Sequence, residues 1–316
     1  MTAFKNRLVK SEDLTGEEYH SLPDSFSSSQ LKDMLEDPEV FYGKYIIKTI
    51  ERKHIPAFDV GTYFHCAVLE PHLLEKETAV FTGAVRRGAA WEAFQEANKG
   101  KAIVSEKEKE LILKMVDGVK SSPIGTKYLT DIIPEISAFL EVFVLGDEIF
   151  AFRTNDKGEE VAFSMSPVGW VQSDQGFDIE DIKEFGQRIV LKVRSDALSE
   201  KGDFISDLKS TSGNVKNARE MAAKAYELNY DLSAALYLDV FSFVSERDYN
   251  RFIWIFSDKG TCFSKSYVAS EKNILVGRAK WTKAVRLIAK YKANNWEFID
   301  ELDELNPPTY ANEWLN

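Results

Sequence analysis

The chain has 316 residues, of which 40 are Lys or Arg and 51 Asp or Glu, for a formal net charge of −11, and 44% of it is hydrophobic. That is the make-up of an ordinary soluble globular protein with a large core, and it excludes disordered and fibrous classes. No apolar run nears the roughly 20 residues of a membrane span, the start MTAFKNRLVKSEDL shows no signal core, and Cys66 and Cys262 alone rule out a disulfide framework, a four-cysteine zinc site and an all-cysteine iron–sulfur cluster.

Residues 1–26 mix charge with turn formers and are expected to lie over the surface. Ser27-Ser28-Ser29-Gln30 predicts a helix start, with Leu31, Met34 and Leu35 at helical spacing behind hydroxyl caps. Asp37-Pro38 marks a break before the aromatic-rich FYGKYIIKTI. A second helix is expected from Gly61-Thr62 to Glu70-Pro71, carrying His65. Residues 87–129 read as mostly helical, from the amphipathic WEAFQEA and EKEKELILKMVDGV. After Glu135 the character changes to β-branched and aromatic runs bounded by turn residues, namely ISAFLEVFVL, DEIFAFRT, VAFSMSPVGWVQ, QRIVLKVRSDAL and DFISDLKST, which predict consecutive strands in an antiparallel meander. Asn214–Phe243 returns to helix, 251–257 and 262–270 read as strands, and a last helix at 271–294 precedes an acidic tail (297–304) with Trp296 before it and Trp314 after it. The expected class is α+β, an α/β sandwich-like single domain: a mostly helical elaboration at 1–130, a core at 131–270 with a mixed central sheet flanked by helices, and a helix and tail at 271–316.

The stretch that carries chemistry is Lys192-Val193-Arg194-Ser195-Asp196, followed by Asp207-Leu208-Lys209. On a strand, residues two apart share a face, so Asp207 and Lys209 project together while Leu208 enters the core. If a hairpin connection lies within 197–204, Asp196 meets them from the neighbouring strand. Two carboxylates and an ammonium at one point suit Mg²⁺, with Mn²⁺ also accepted, and such an ion can activate water and neutralise phosphate. The rival reading is a solvated, salt-bridged hairpin. Acid-x-Lys triplets alone say little: Glu51-Arg52-Lys53 and Asp181-Ile182-Lys183 are expected surface features.

The order Gly61-Thr62-Tyr63-Phe64-His65 with Val68-Leu69-Glu70-Pro71, Val193-Arg194-Ser195-Asp196, Ser206-Asp207-Leu208-Lys209-Ser210-Thr211 and Tyr230-Asp231-Leu232-Ser233-Ala234-Ala235-Leu236-Tyr237 resembles the exodeoxyribonuclease VIII (RecE-like) nuclease domains, on the RecE/RecB-like branch of the PD-(D/E)XK superfamily. Ser27-Ser28-Ser29-Gln30-Leu31 with Asp37-Pro38 and Phe41 is similar to that branch's opening helix, so the likeness spans residues 27–245. It implies that Asp196 and Asp207 bind metal, that Lys209 is the catalytic lysine, that His65 and Glu135 are further metal ligands, and that Tyr237 lies beside the DNA. The branch's glutamine is Ser233 here, which removes an amide that could bond a backbone phosphate. Lys192 and Arg194, on the strand face of Asp196, are expected phosphate contacts, with Arg86-Arg87 and Lys183 weaker ones.

The resemblance implies a Mg²⁺-dependent exodeoxyribonuclease that processes linear duplex ends for recombination, by in-line attack of an activated water on phosphorus. It further implies a homo-oligomer working with a single-strand annealing protein; the two cysteines separately point to a reducing cytoplasm. Two alternatives stand beside it: a non-catalytic nucleic-acid-binding or assembly module on the same fold, which the Ser233 departure and the acidic balance favour, and an endonuclease or single-strand nuclease. Read for packing alone, His65 is a satisfied core histidine, Tyr230 and Tyr237 are two rungs of one buried helix face, Glu70 terminates its helix, residues 106–110 are a solvated helix face, and His20, His54 and His72 are surface residues.

Overall fold

The computed structural model describes residues 6–51, 55–173 and 178–298. His54, Arg52-Lys53, Trp314 and the tail from 299 onward lie outside the described residues. In chain order the elements are β1 (Arg7–Val9), α1 (Gly16–Ser21), β2 (Ser25–Phe26), α2 (Ser28–Glu36), α3 (Pro38–Phe41), a π turn (Tyr42–Ile46), α4 (Pro56–Leu69), a 3₁₀ turn (Pro71–Leu73), α5 (Leu74–Glu77), β3 (Thr78–Phe81), α6 (Ala89–Ala97), β4 (Ala102–Ser105), α7 (Glu106–Lys120) and α8 (Pro123–Lys127). There follow β5 (Ile132–Leu145), β6 (Glu148–Thr154), β7 (Glu160–Ser166), β8 (Gly169–Gln172), α9 (Ile179–Phe185), β9 (Gln187–Ser199), β10 (Phe204–Thr211), α10 (Ala218–Glu227), α11 (Tyr230–Ser245), β11 (Arg251–Asp258), β12 (Ser264–Val268) and α12 (Glu271–Ala293).

Among the described residues one ten-stranded sheet runs β12-β11-β10-β9-β5-β6-β7-β8, with β1 added to β5 and β2 to β9, and helices flank it. The fold is thus the expected α+β class with a mixed central sheet. The neighbours β9 and β5 pair antiparallel over almost their whole length, whereas β10 and β11 are parallel in register from Phe204↔Arg251 to Thr211↔Asp258. A parallel pair needs a crossover, and α10 with α11 supplies it. The meander expected over 135–211 holds from β5 to β8 and for β9 with β10, but β9 pairs with β5 rather than with β8.

Other differences have local causes. The opening segment is woven into the sheet, because β1 and β2 satisfy strand backbone on β5 and β9 and Tyr19 is buried. Helix α4 begins at Pro56, five residues before Gly61, since proline at the first turn lacks only an N–H that a helix leaves unpaired there. A strand interrupts the helical stretch 87–129, β4 pairing with β3 in a separate two-stranded sheet. The predicted helix 214–243 is two helices, broken where Asn229 takes a left-handed φ of 50°, a conformation asparagine tolerates. Trp296 stacks on Tyr42 and Tyr291, tying the end of the described chain to the aromatic segment after α3.

Strand alternation divides the core in two. Ile205, Phe252, Trp254 and Phe256 face the larger cluster under α2, α11 and α12, while Leu208, Ile253 and Ile255 face a second cluster with Phe64, Met115 and Val116 of α4 and α7. Helices α11 and α12 approach closely at Gly277, where an added Cβ would lie 2.0 Å from the Asp231 carbonyl oxygen and 3.0 Å from the Ala235 Cβ. Backbone cannot yield there as a side-chain tip can, so Gly277→Ala is expected to cost about 1–3 kcal/mol, read as a lower denaturant midpoint. No helix among the described residues is long and apolar enough to cross a membrane.

Candidate metal centre and cleft

The site grows from an irregularity shared by two neighbouring strands. Ile133 and Ile136 both pack toward the larger core, as do Val193 and Leu198. Each pair is an odd number of residues apart, so the two-residue alternation slips by one in β5 and in β9. Glu135, left-handed at φ 48°, sits at the slip in β5, and the register puts it opposite Asp196, between Pro134↔Ala197 and Ile136↔Ser195. A non-glycine residue in that conformation inside a strand stores strain, which persists only where surrounding structure imposes it.

On the other side of Asp196 the ladder opens. The β9–β10 pairs are Ile205↔Leu198 and Ser206↔Ala197; the next would join Asp207 to Asp196. Instead the Leu208 N–H donates to the Asp196 carboxylate at 2.6 Å, so a side chain takes the place of the strand partner. At this fork α4 brings in His65, whose Nδ1 lies 3.4 Å from Asp196 Oδ2. His65, Glu135 and Asp196 each offer a ligand atom, all within 4.8 Å of one another. One strand over, the Lys209 ammonium donates to Asp207 at 2.8 Å.

Electrostatics tie the groups together. Burial works against charge on Asp196, yet His65, the Lys209 ammonium and the Leu208 N–H hold its carboxyl down to about 2. Burial pushes the Glu135 carboxyl up and the Asp196 charge adds to this, against Arg194 and His65. Burial likewise raises Asp207, opposed by Lys209 and reinforced by Asp196. For Lys209, burial is outweighed by the Asp207 and Asp196 carboxylates, which raise its pKa. His65 is also raised, because Asp196 more than offsets its burial. Buried carboxylates held this close to one another, with cationic groups interleaved and several pKa values displaced, are a physical signature of functional sites. An imidazole nitrogen with carboxylate oxygens is a donor set compatible with a divalent metal ion.

The triad opens into a cleft of about 420 Å³ whose wall includes Ser27, Ser28, Ser29, Cys66, Glu70, Arg194 and Tyr237. Tyr237 is hydrogen-bonded to Ser28, and burial raises its pKa, so helices α2 and α11 meet at the cleft. Glu70 accepts from Ser11 at 3.1 Å, and His20, exposed, borders the same cleft. Ser233 is half-buried one turn before Tyr237 and outside the cleft wall.

The other expected phosphate contacts are differently employed. Lys192 is 2% exposed, and its ammonium donates to the carbonyls of Tyr19 at 3.0 Å and Leu22 at 3.3 Å. It stands on the strand face of Asp196, but the chain around α1 covers it and leaves no surface for a phosphate. Arg194 reaches the cleft with its guanidinium given to Glu135 at 2.8 Å and the Leu14 carbonyl at 2.9 Å. Arg86 pairs with Glu108, and Lys183 with Glu160.

Two residues that the sequence reading left aside stand by the Asp207–Lys209 pair. The Tyr230 ring, read above as packing, has the Lys209 ammonium 5.6 Å from its centroid and the Lys32 ammonium at 5.4 Å. Helical spacing could have flagged Lys32, one turn after Ser28, but only the fold brings it to β10.

No family model matches the chain, and no curated protein matches it significantly. Among solved structures, a crystal structure of a candidate exonuclease from Eubacterium rectale superposes at a TM-score of 0.55 with 12% identity, covering 95% of this chain and 97% of that one. A second solved chain superposes at only 0.26. The first match spans both molecules nearly end to end, so this chain has the overall fold of that protein.

Proposed function

We propose that this protein is a divalent-metal-dependent deoxyribonuclease of PD-(D/E)XK type that removes nucleotides from the ends of linear duplex DNA. The observation that carries the reading is the fork between β9 and β10: His65, Glu135 and Asp196 with ligand atoms within 4.8 Å, and the Asp207–Lys209 pair beside them. The fold shared with the Eubacterium rectale protein supports it, as does the order of motifs from Ser27 to Tyr237.

In this reading His65, Glu135, Asp196 and Asp207 hold the ion. A bound Mg²⁺ or Mn²⁺ supplies Lewis-acid neutralisation of the phosphate and lowers the pKa of water. Lys209 keeps its proton, because the surrounding carboxylates raise its pKa; it serves as a fixed positive charge that orients the attacking water and meets charge developing on phosphorus, not as a base. Asp207 fixes the lysine's rotamer. Arg194, holding Glu135 and the Leu14 carbonyl, keeps the strained β5 segment in place. Tyr237 and the α2 start form the wall along which the strand lies.

The test is purified protein on linear duplex DNA with Mg²⁺ or Mn²⁺, alongside calorimetric titration of the metal. EDTA is expected to abolish hydrolysis, and Asp196→Asn to remove both hydrolysis and the heat of metal binding. Activity that survives both treatments would overturn the reading. Covalently closed circular DNA separates the exonuclease from an endonuclease, which alone would cut it. Self-association and cooperation with an annealing protein belong to the same proposal, and light scattering of the purified chain tests the first.

A further inference from the structure

Lys32 stands between two ion pairs without belonging to either. On one side the Lys209 ammonium holds Asp207 at 2.8 Å; on the other the Lys280 ammonium holds Asp231 at 2.9 Å. Asp231 is 1% exposed, and Lys280 also donates to Asn229 at 2.7 Å. Asp207 and Asp231 are therefore each engaged by a lysine of their own. Among the described residues no hydrogen bond or salt bridge reaches the Lys32 ammonium, which lies 5.4 Å from the centroid of the Tyr230 ring.

The Lys32 ammonium thus lies half-buried beside two lysines that each have a carboxylate partner of their own. Cations out of water are normally paired, because an unpaired one costs free energy that a cation–π contact only partly returns. The surroundings show that cost: burial, with the Lys209 and Lys280 charges, pushes Lys32 down to about 8. Lys32 also lines a groove of about 630 Å³, together with Glu36, Glu227, Lys280 and Lys283. The two glutamates make the groove itself a poor track for a long phosphate chain, whereas the Tyr230 ring beside Lys32 also lies against the Lys209 ammonium.

Resting on the nuclease reading above, we propose that Lys32 holds a phosphate of the bound DNA strand next to the scissile one, a charge that Lys209, committed to Asp207, does not supply. Tyr230, whose ring centroid lies 5.4 Å from the Lys32 ammonium and 5.6 Å from the Lys209 ammonium, sets the spacing between the two lysines. Two neighbouring phosphates of one strand are thereby held next to one aromatic ring.

The test is fluorescence anisotropy of a short labelled duplex in EDTA, so that no hydrolysis intervenes, over a series of salt concentrations. Lys32→Met keeps the stem and removes the charge; Lys32→Arg keeps the charge. Lys32→Met is expected to bind about tenfold more weakly, irrespective of sequence, with a salt slope shallower by roughly 0.7–0.9, and Lys32→Arg to bind as wild type. The thermal midpoint of Lys32→Met should equal or exceed that of wild type, since an unpaired cation has been removed. With Mg²⁺ the KM should rise by the same factor while kcat holds.

Equal affinity and slope in Lys32→Met and wild type would overturn the proposal and leave the nuclease reading intact. A lowered midpoint with affinity lost in both variants would show a structural lysine and overturn it too. A wild-type chain that neither binds nor hydrolyses DNA would remove both readings.

Discussion

Lys209→Met is expected to lower turnover of linear duplex DNA by about 10²–10³-fold, with the loss in kcat more than in KM. The ammonium is fixed by Asp207 at 2.8 Å and feels the Asp196 carboxylate as well, so its charge is preorganised where negative charge would develop. The same change has a structural side. It leaves Asp207, 7% exposed, without its cation, and breaking a buried pair from one side costs about 3–5 kcal/mol.

Part of that cost has an escape. Burial has already raised the Asp207 carboxyl, and loss of Lys209 raises it further, so the folded variant binds a proton that the unfolded chain releases. A raised carboxyl pKa means a penalty at neutral pH that lifts as pH falls through the folded-state value. The thermal midpoint of Lys209→Met should therefore approach that of wild type on acidification, while Asp207→Asn/Lys209→Met should recover stability at neutral pH and stay inactive. Unchanged kcat in the single variant would remove the lysine from the chemistry.

The sequence made some parts of this site legible and hid others, for physical reasons. The two-residue period is local, so Asp207 and Lys209 could be placed on one face of β10 with Leu208 in the core, and Leu208 does face the second cluster. That the strands beside it are β9 and β11, the second parallel, depends on a crossover that periodicity does not describe. Glu135 was hard to place because its position depends on a slip in two strands at once and on a left-handed residue where a strand pattern predicts none. Lys192 has the parity of Asp196, but parity says nothing of what covers a face; the carbonyls of Tyr19 and Leu22, some 170 residues away in sequence, do so. Lys32 reads as an ordinary polar position of an amphipathic helix, and only the packing of α2 against the start of α11 gives it neighbours.

A second buried ion pair, away from the cleft, has the next largest expected effect. Asp239 of α11 accepts from Arg278 of α12 through Nε at 2.9 Å and Nη2 at 2.6 Å, and from Trp281 Nε1 at 2.9 Å. The same guanidinium donates to the Pro167 carbonyl at 2.6 Å, in the turn between β7 and β8. One pair thus joins two helices and a hairpin, with side-chain exposures of 10% and 4%. Burial nonetheless raises the Asp239 carboxyl despite Arg278 and Trp281, so at neutral pH its charge costs folding free energy, a cost that lifts as pH falls through the raised value.

The pair is therefore a device for fixing how three elements meet, and its removal from one side is far more damaging than its absence. Arg278→Met leaves a buried carboxylate and an orphaned carbonyl and is expected to lose about 3–5 kcal/mol, measured by denaturant unfolding at neutral pH. Asp239→Leu/Arg278→Met, apolar on both sides, should recover most of that loss, short of the cost of the unpaired Pro167 carbonyl and Trp281 N–H. Metal binding at His65, Glu135 and Asp196 should be unchanged in the double variant, because the cleft wall includes neither Asp239 nor Arg278. A double variant as unstable as the single one would show that the pair itself, and not the stranded charge, holds α11 and α12 to the hairpin.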